Sequence, residues 1–372
     1  MAAERSAVIR QFLDKTGWAG AAISPLPGDA STRRYFRTAK GTQSAILMDQ
    51  PQNAEAPPCP PGATAEERER LGYNAVARLA GADCTRFIAI ADYLRGRGLH
   101  TPQILAADPA AGLVLMEELN GPLYADAIAE GADETALYAA AIEALALLHQ
   151  VPAPARTGVG TPLFAYDETA QLAEVRLLAE WYLPLALGRP ADQDEIAEHQ
   201  ALWRATLQGI AGTPAVFVHR DYHAQNLIWM PEQRGHQRVG IIDFQDAVAG
   251  SSAYDIISLL EDARRDVSAS LKEKMTGHYL EIMKRDGHAV DPAELSAAMA
   301  VIAAQRNAKI AGIFARLCVR DGKPRYLGYL PRVWRYLERD LAHPALRPLR
   351  NWYDKTIPAE ARHNLHRRGA AA

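Results

Sequence analysis

Along the first third of the chain the apolar positions change period several times. Val8, Ile9, Phe12 and Leu13 recur at helical spacing within residues 4–17, and Gly17 offers a stop. A turn, Pro-Leu-Pro-Gly-Asp-Ala-Ser at 25–31, leads into Arg34-Tyr35-Phe36-Arg37. Lys40-Gly41-Thr42 then joins that stretch to a strand-like run from Ser44 to Met48, which predicts a hairpin. Residues 51–62 hold five prolines and no period, so they read as an irregular surface loop. Glu66 to Ala80 combines charged helix formers with Leu71 and Leu79 to dock it, and Phe87, Ile90 and Leu94 mark another helix ended by Gly96 and Gly98. Ile104 to Asp108 and Leu113 to Glu117 predict two more strands. After Asn120-Gly121-Pro122 the pattern turns helical, beginning with Leu137, Ala141, Leu145 and Leu148 on one face of 134–149. The expected class is α+β: a small sheet-bearing lobe over 1–117, then a large, mainly helical lobe over 118–372, with the linker as a hinge.

Composition narrows this only a little. A chain of 372 residues is long enough for two such lobes. Its net charge, 41 − 44 = −3, gives no basic field for nucleic acid. The segment 332–372 is locally basic and reads as a solvated helical face. Cys59, Cys84 and Cys318 show no metal spacing and no disulfide framework, which fits a reducing cytoplasm. Met1 to Lys15 lacks the apolar stretch of a signal peptide, and no run of about 18 apolar residues predicts a membrane span. Nothing in the chain marks an obligate protein partner.

The chemistry concentrates in His219-Arg220-Asp221-Tyr222-His223-Ala224-Gln225-Asn226 and, further on, Ile242-Asp243-Phe244-Gln245-Asp246. Each follows a short apolar run. Phosphoryl transfer needs magnesium to neutralise charge, a group to orient and deprotonate the attacking hydroxyl, and alignment. Magnesium takes hard oxygen ligands, which Asn226 and Asp243 supply from either side of a hairpin. Asp221 precedes Asn226 by five residues, the spacing of catalytic Asp and metal-binding Asn in kinase loops. A satisfied polar core network is the blander account of the same residues. Zinc on His219 and His223 is weaker, because no third N or S ligand is near in sequence.

HRDYHAQN, IDFQDA and AYDIISLLEDAR together resemble the aminoglycoside phosphotransferase and choline kinase family of small-molecule kinases. That resemblance implies a two-lobed, protein-kinase-like fold, ATP as donor and Mg²⁺ as cofactor. It makes Asp221 the catalytic base, Asn226 and Asp243 the magnesium ligands, His219 a brace and Asp255 an anchor for the loop. GDASTRRYFR (28–37), ILMDQP (46–51), residues 242–267 and AAQRNAKIAGIFARL (303–317) resemble a bacterial branch of the family. Its members phosphorylate the anomeric hydroxyl of N-acetylmuramate and N-acetylglucosamine during cell-wall recycling. The acceptor implied is thus a small amino sugar.

The pattern departs from protein kinases where a strand Lys pairs with a helix Glu. Ser44 to Asp49 contains neither Lys nor Arg, and residues 86–96 contain no Glu, only Asp92. Arg33, Arg34 and Arg37 are the candidates for balancing phosphate charge, with Arg34 and Arg37 on opposite faces if extended, and the choice falls on Arg34 or, equally, Arg33. Ser31 and Thr32 hydroxyls, with backbone N–H groups of 30–32, form a reduced phosphate loop or an ordinary turn. Met116, Glu117 and Leu119 mark the adenine hinge, although Met116 serves equally as a core side chain. His223, Gln225, Gln245, Asp246, Asp262, Arg264, Arg265, Arg306 and Asn307 are the polar candidates for the acceptor. Arg264 and Arg306 suit a carboxylate, and each also suits plain helix bracing. Trp181, Tyr182 and Trp229 are candidates to stack on a sugar. An aminoglycoside or choline-type acceptor stays open, since residues 161–200 carry eight acids against two bases. A catalytically silent nucleotide-binding regulator is the non-enzymatic alternative.

Overall fold

A computed structural model describes residues 2–27, 33–51, 56–79, 81, 83–158 and 160–365. Two compact units divide the chain: Met1–Leu147 with Pro154–Phe164 and Ala224–Ala247, and Leu148–Ala153 with Ala165–His223 and Val248–Ala372. No helix among the described residues is long and apolar enough to cross a membrane.

The first unit is built on a five-stranded antiparallel sheet. Its strands are β1 (Ala22–Pro25), β2 (Arg34–Lys40), β3 (Gln43–Asp49), β4 (Ile104–Asp108) and β5 (Leu113–Glu117), in the order β1-β2-β3-β5-β4. The sequence reading lacks β1, whose four residues are largely exposed and end in a proline, so they carry no apolar alternation to detect. Register fixes the two faces. Phe36 pairs with Leu47, and Leu47 with Leu115. With Ala45 and Leu113 these residues bury the helix Ala2–Lys15 through Ile9, Phe12 and Leu13. Tyr35, Met48 and Val114 pair across the strands on the opposite pleat, as do Arg37, Ile46 and Met116. The helix expected over 66–80 is shorter, Ala65–Leu71, opened by a Thr64–Glu67 capping box; Asn74–Arg78 follows as a π-helical turn.

The second unit is helical, apart from a two-stranded antiparallel ladder pairing Ala215–Val218 with Val248–Ser251. Pro292–Val319 runs through its centre for 28 residues, started by Asp291, which accepts the Ala293 and Glu294 N–H groups. Around this helix pack Trp203, Tyr182, Trp334, Leu337 and Tyr353. Gly312 allows a close approach: a Cβ there would collide with the backbone of Leu177 and Leu178.

Candidate active site

In the sheet-bearing unit, Leu227–Trp229 and Val239–Ile241 form a short ladder that closes on Leu227 opposite Ile241. The Ile242 N–H donates to the Asn226 carbonyl at 3.1 Å, so Asn226 and Asp243 leave neighbouring ends of one hairpin. Asp243 adopts a left-handed backbone, φ 61°, which Asp tolerates better than most residues. Its carboxylate is 40% exposed, accepts Gln245 Nε2 at 2.9 Å, and lies 3.5 Å from Arg33 Nη1. Arg33 is 4% exposed and reaches Asp246 at 4.0 Å; Arg78 also donates to Asp246, at 3.1 Å. Burial raises the nearby Tyr35 hydroxyl to about 12, against the pull of Arg33.

Strand alternation sets Arg34 apart from Arg37, and the three arginines considered above have different partners. Arg34 bonds the fully buried Asp49, which it shares with Arg5 of the first helix. Arg37 bonds Glu118 at 2.7 Å. Only Arg33 stands beside Asp243. Met116 and Leu119 are buried, and Leu119 packs so closely on Gly240 that a Cβ there would meet its Cδ1 at 2.8 Å. The Glu117 carboxylate accepts the Gln103 N–H at 3.0 Å. Ser31 and Thr32 lie outside the described residues.

The sequence reading missed the group that holds the Asp243 loop. Arg86, on Cys84–Gly96, donates from Nε to the Gln245 carbonyl at 2.8 Å, from Nη1 to Pro162 at 2.8 Å, and from Nη2 to Ala247. One residue on, Phe87 stacks on Phe244 with ring centroids 4.7 Å apart. The readable signal was an Arg four residues before Ile90, on the apolar stripe of that helix. Asp92 is exposed.

In the helical unit, the strand Ala215–Val218 ends at its pair with Val248, leaving the next N–H groups without ladder partners. Asp255 takes them: His219 N donates to Oδ2 at 2.6 Å and Arg220 N to Oδ1 at 3.0 Å. These bonds hold Arg220 in a left-handed conformation, φ 76°, that Arg seldom adopts. His219 Nδ1 accepts the Asp221 N–H at 3.2 Å, which makes Nδ1 the unprotonated nitrogen. Behind the loop, fully buried Glu174 pairs with Arg220 at 2.5 Å and with Lys309 at 3.1 Å, and accepts the Tyr166 hydroxyl. Lys309 also bonds Tyr254 at 2.9 Å. Burial works against the charge on Lys309, but Glu174, Tyr254 and Asp221 hold its pKa above the usual lysine value. Neither Glu174 nor Lys309 stood out in sequence.

Asp221 lines a cavity of about 130 Å³ with His223, Tyr254, Asp262, Ala263, Arg264, Arg306, Lys309, Ile310, Ile313 and Phe314. Burial tends to raise the Asp221 pKa. Its neighbours His223, Lys309, Arg220 and His219 outweigh that and bring it down to about 2. Burial lowers His223 to about 4, leaving the imidazole neutral at physiological pH. Of the acceptor candidates, His223, Asp262, Arg264 and Arg306 meet here, while Gln225, Gln245 and Asp246 belong to the other unit. Asn307 is buried against Glu261 and Asp340, and Tyr182 lies in the helical core. Trp229 meets Tyr124 edge-on. No cluster of three His, Cys, Asp or Glu able to hold a metal occurs among the described residues.

Residues 22–293 match the model of the phosphotransferase enzyme family. The chain is 43% identical over 365 residues to N-acetylmuramate/N-acetylglucosamine kinase of Caulobacter vibrioides, covering 97% of this chain and 99% of that protein. It is 33% identical to the kinase of the same name from Pseudomonas aeruginosa, over 87% of this chain and 84% of that one. A choline/ethanolamine kinase family protein from Mesorhizobium loti shares the fold at a TM-score of 0.56 and 16% identity, covering 94% of this chain and 98% of its own. This chain belongs to the phosphotransferase enzyme family.

Proposed function

We propose that the protein is an ATP-dependent kinase that phosphorylates the anomeric C1 hydroxyl of N-acetylmuramate and N-acetylglucosamine, returning cell-wall sugars to metabolism. The observation that carries this reading is the cavity, where a deprotonated Asp221 shares a small space with Arg264, Arg306, Lys309 and Asp262. The relatives named for these two sugars support the substrate class. A polycationic aminoglycoside or a choline-like cation is disfavoured by the three basic side chains on the cavity wall.

Asp221 receives the proton of the sugar hydroxyl as the new bond from O1 to the γ-phosphorus forms and the bond from that phosphorus to the β-bridging oxygen breaks, releasing ADP. A carboxylate with a pKa of about 2 is a weak base, so the transfer comes late. A hemiacetal hydroxyl, more acidic than an ordinary alcohol, suits such a base. Asn226 and Asp243 are the side chains to hold magnesium: both offer hard oxygen, they flank one hairpin, and Asp243 is partly open. When bound, magnesium neutralises triphosphate charge. Arg33 supplies the fixed positive charge that β3 lacks. Met116, Glu117 and Leu119 form the adenine contact.

ADP release tests the proposal over N-acetylmuramate, N-acetylglucosamine, glucose, choline and kanamycin. Turnover with both N-acetyl sugars, giving an acid-labile sugar phosphate, is expected. Turnover restricted to choline or kanamycin, or an acid-stable product, overturns it.

A further inference from the structure

The cavity beside Asp221 combines three surfaces that one chemical group requires together. The first is an unused acceptor. Asp262 is 1% exposed; its Oδ1 accepts the Arg264 N–H at 2.8 Å, closing a tight turn, while Oδ2 has no hydrogen-bond partner among the described residues. A buried carboxylate oxygen left without a donor is costly, so a donor brought by a ligand gains more here than at a wet surface. The second is a fixed donor. Arg306, 5% exposed, gives N–H groups to the Glu261 carbonyl at 3.2 Å and the Ser258 hydroxyl at 3.0 Å. Those bonds set the plane of the guanidinium, which has five N–H donors in all. The third is apolar: Ile310, Ile313 and Phe314, three and four residues apart on Pro292–Val319, share one face of that helix.

A hydroxyl matches the first surface but leaves the apolar wall against a polar group. A carboxylate matches the arginine but meets Asp262 charge to charge. A secondary amide bearing a methyl group offers an N–H, a carbonyl oxygen and an apolar end, one for each surface. We infer that this cavity is the acetamido subsite of the acceptor. The Asp262 carboxylate accepts the amide N–H, Arg306 donates to the carbonyl, and the methyl packs on Ile310, Ile313 and Phe314. The assignment rests on the reading above that a C1 hydroxyl is delivered to Asp221, because the substituent next to C1 on these sugars is the C2 acetamido group. Asp262 is then a specificity-determining residue, which the turn it closes would otherwise explain.

The test is Asp262→Asn. Asparagine keeps an oxygen for the Arg264 N–H and so preserves the turn, but puts an NH₂ donor where Oδ2 stood. Wild-type protein should favour N-acetylglucosamine over glucose by about 100-fold in kcat/KM. In the variant that ratio should shrink by about tenfold or more through the acceptor KM, with the ATP KM within about twofold. An unchanged ratio, or equal losses on both sugars, overturns the assignment while leaving the kinase reading intact. Wild-type protein that turns over neither sugar removes both. Should the variant not fold, wild-type kinetics decide: N-methylation of the acetamide nitrogen, which removes the N–H, should cost about tenfold or more in kcat/KM. An N-methylated sugar that reacts as well as N-acetylglucosamine overturns the inference.

Discussion

The loops that carry Asp221 and Asp243 are secured in opposite ways. The loop after Val218 turns its N–H groups inward, and a buried acid, Asp255, accepts two of them. The loop after Ile242 turns its carbonyls inward, and a buried base, Arg86, donates to two of them and to Pro162. A strand that stops beside chemistry leaves unpaired backbone groups, and one ionised side chain from a helix satisfies several at once. The difference shows in what remains available. Asp221 has the cations Lys309 and Arg220 to favour its ionised form, whereas Asp243 keeps an accessible carboxylate with Arg33 beside it. The first arrangement suits a base, the second a ligand for a cation.

The most severe way to break this contrast is to remove the charge it protects. Asp221→Asn should lower kcat by about 10³-fold or more, with far-ultraviolet dichroism unchanged. Retained sugar-dependent ADP release would sink the assignment. Arg33→Met should cost about 10- to 100-fold in kcat/KM for ATP, while Arg34→Met, on the helix-covered face, should stay within about twofold. Equal losses in the two would mean that their different partners do not sort them. Arg86→Met strands several buried carbonyls and should destabilise the fold by roughly 3 kcal/mol, read as a lower unfolding midpoint.

The smallest effect is a slope. Burial raises Asp255 to about 6, although the two N–H groups favour its ionised form. Between its unfolded value of 3.8 and about 6, the folded state holds a proton that the unfolded state has lost. The contribution of Asp255 is therefore full below pH 3.8 and disappears as pH rises through 6. His149, His199 and His223, lowered by burial, act with the opposite sign over part of that range. Only the difference between wild type and Asp255→Asn isolates the acid: the wild type's advantage should shrink from pH 4 to pH 7 by a few kcal/mol at most. A constant difference would place the pKa elsewhere.

Much of the fold was legible because the signals were local. The strands from Arg34, Ser44, Ile104 and Leu113 announced themselves by short apolar runs bounded by turns, and the helices by period. The positions of Asp221, Asn226 and Asp243 were readable because all three sit on short loops whose spacing is a motif. Arg86, Glu174 and Lys309 were not, because a lone charge on an apolar helix face has no partner in the linear sequence. Glu174 meets Arg220 across 46 residues, and Arg86 meets Gln245 across 159. The choice between Arg33 and Arg34 needed register, which pairing with Asp49 supplies and composition does not.

The lysine-free β3 bears on how this enzyme will respond to chemical tools. Nucleotide probes that acylate a strand lysine beside the phosphates find none between Gln43 and Asp49. Inhibitors built around a lysine–glutamate pair lose their anchor for the same reason. Compounds shaped to a guanidinium at position 33 would discriminate between this kinase and those that keep the pair.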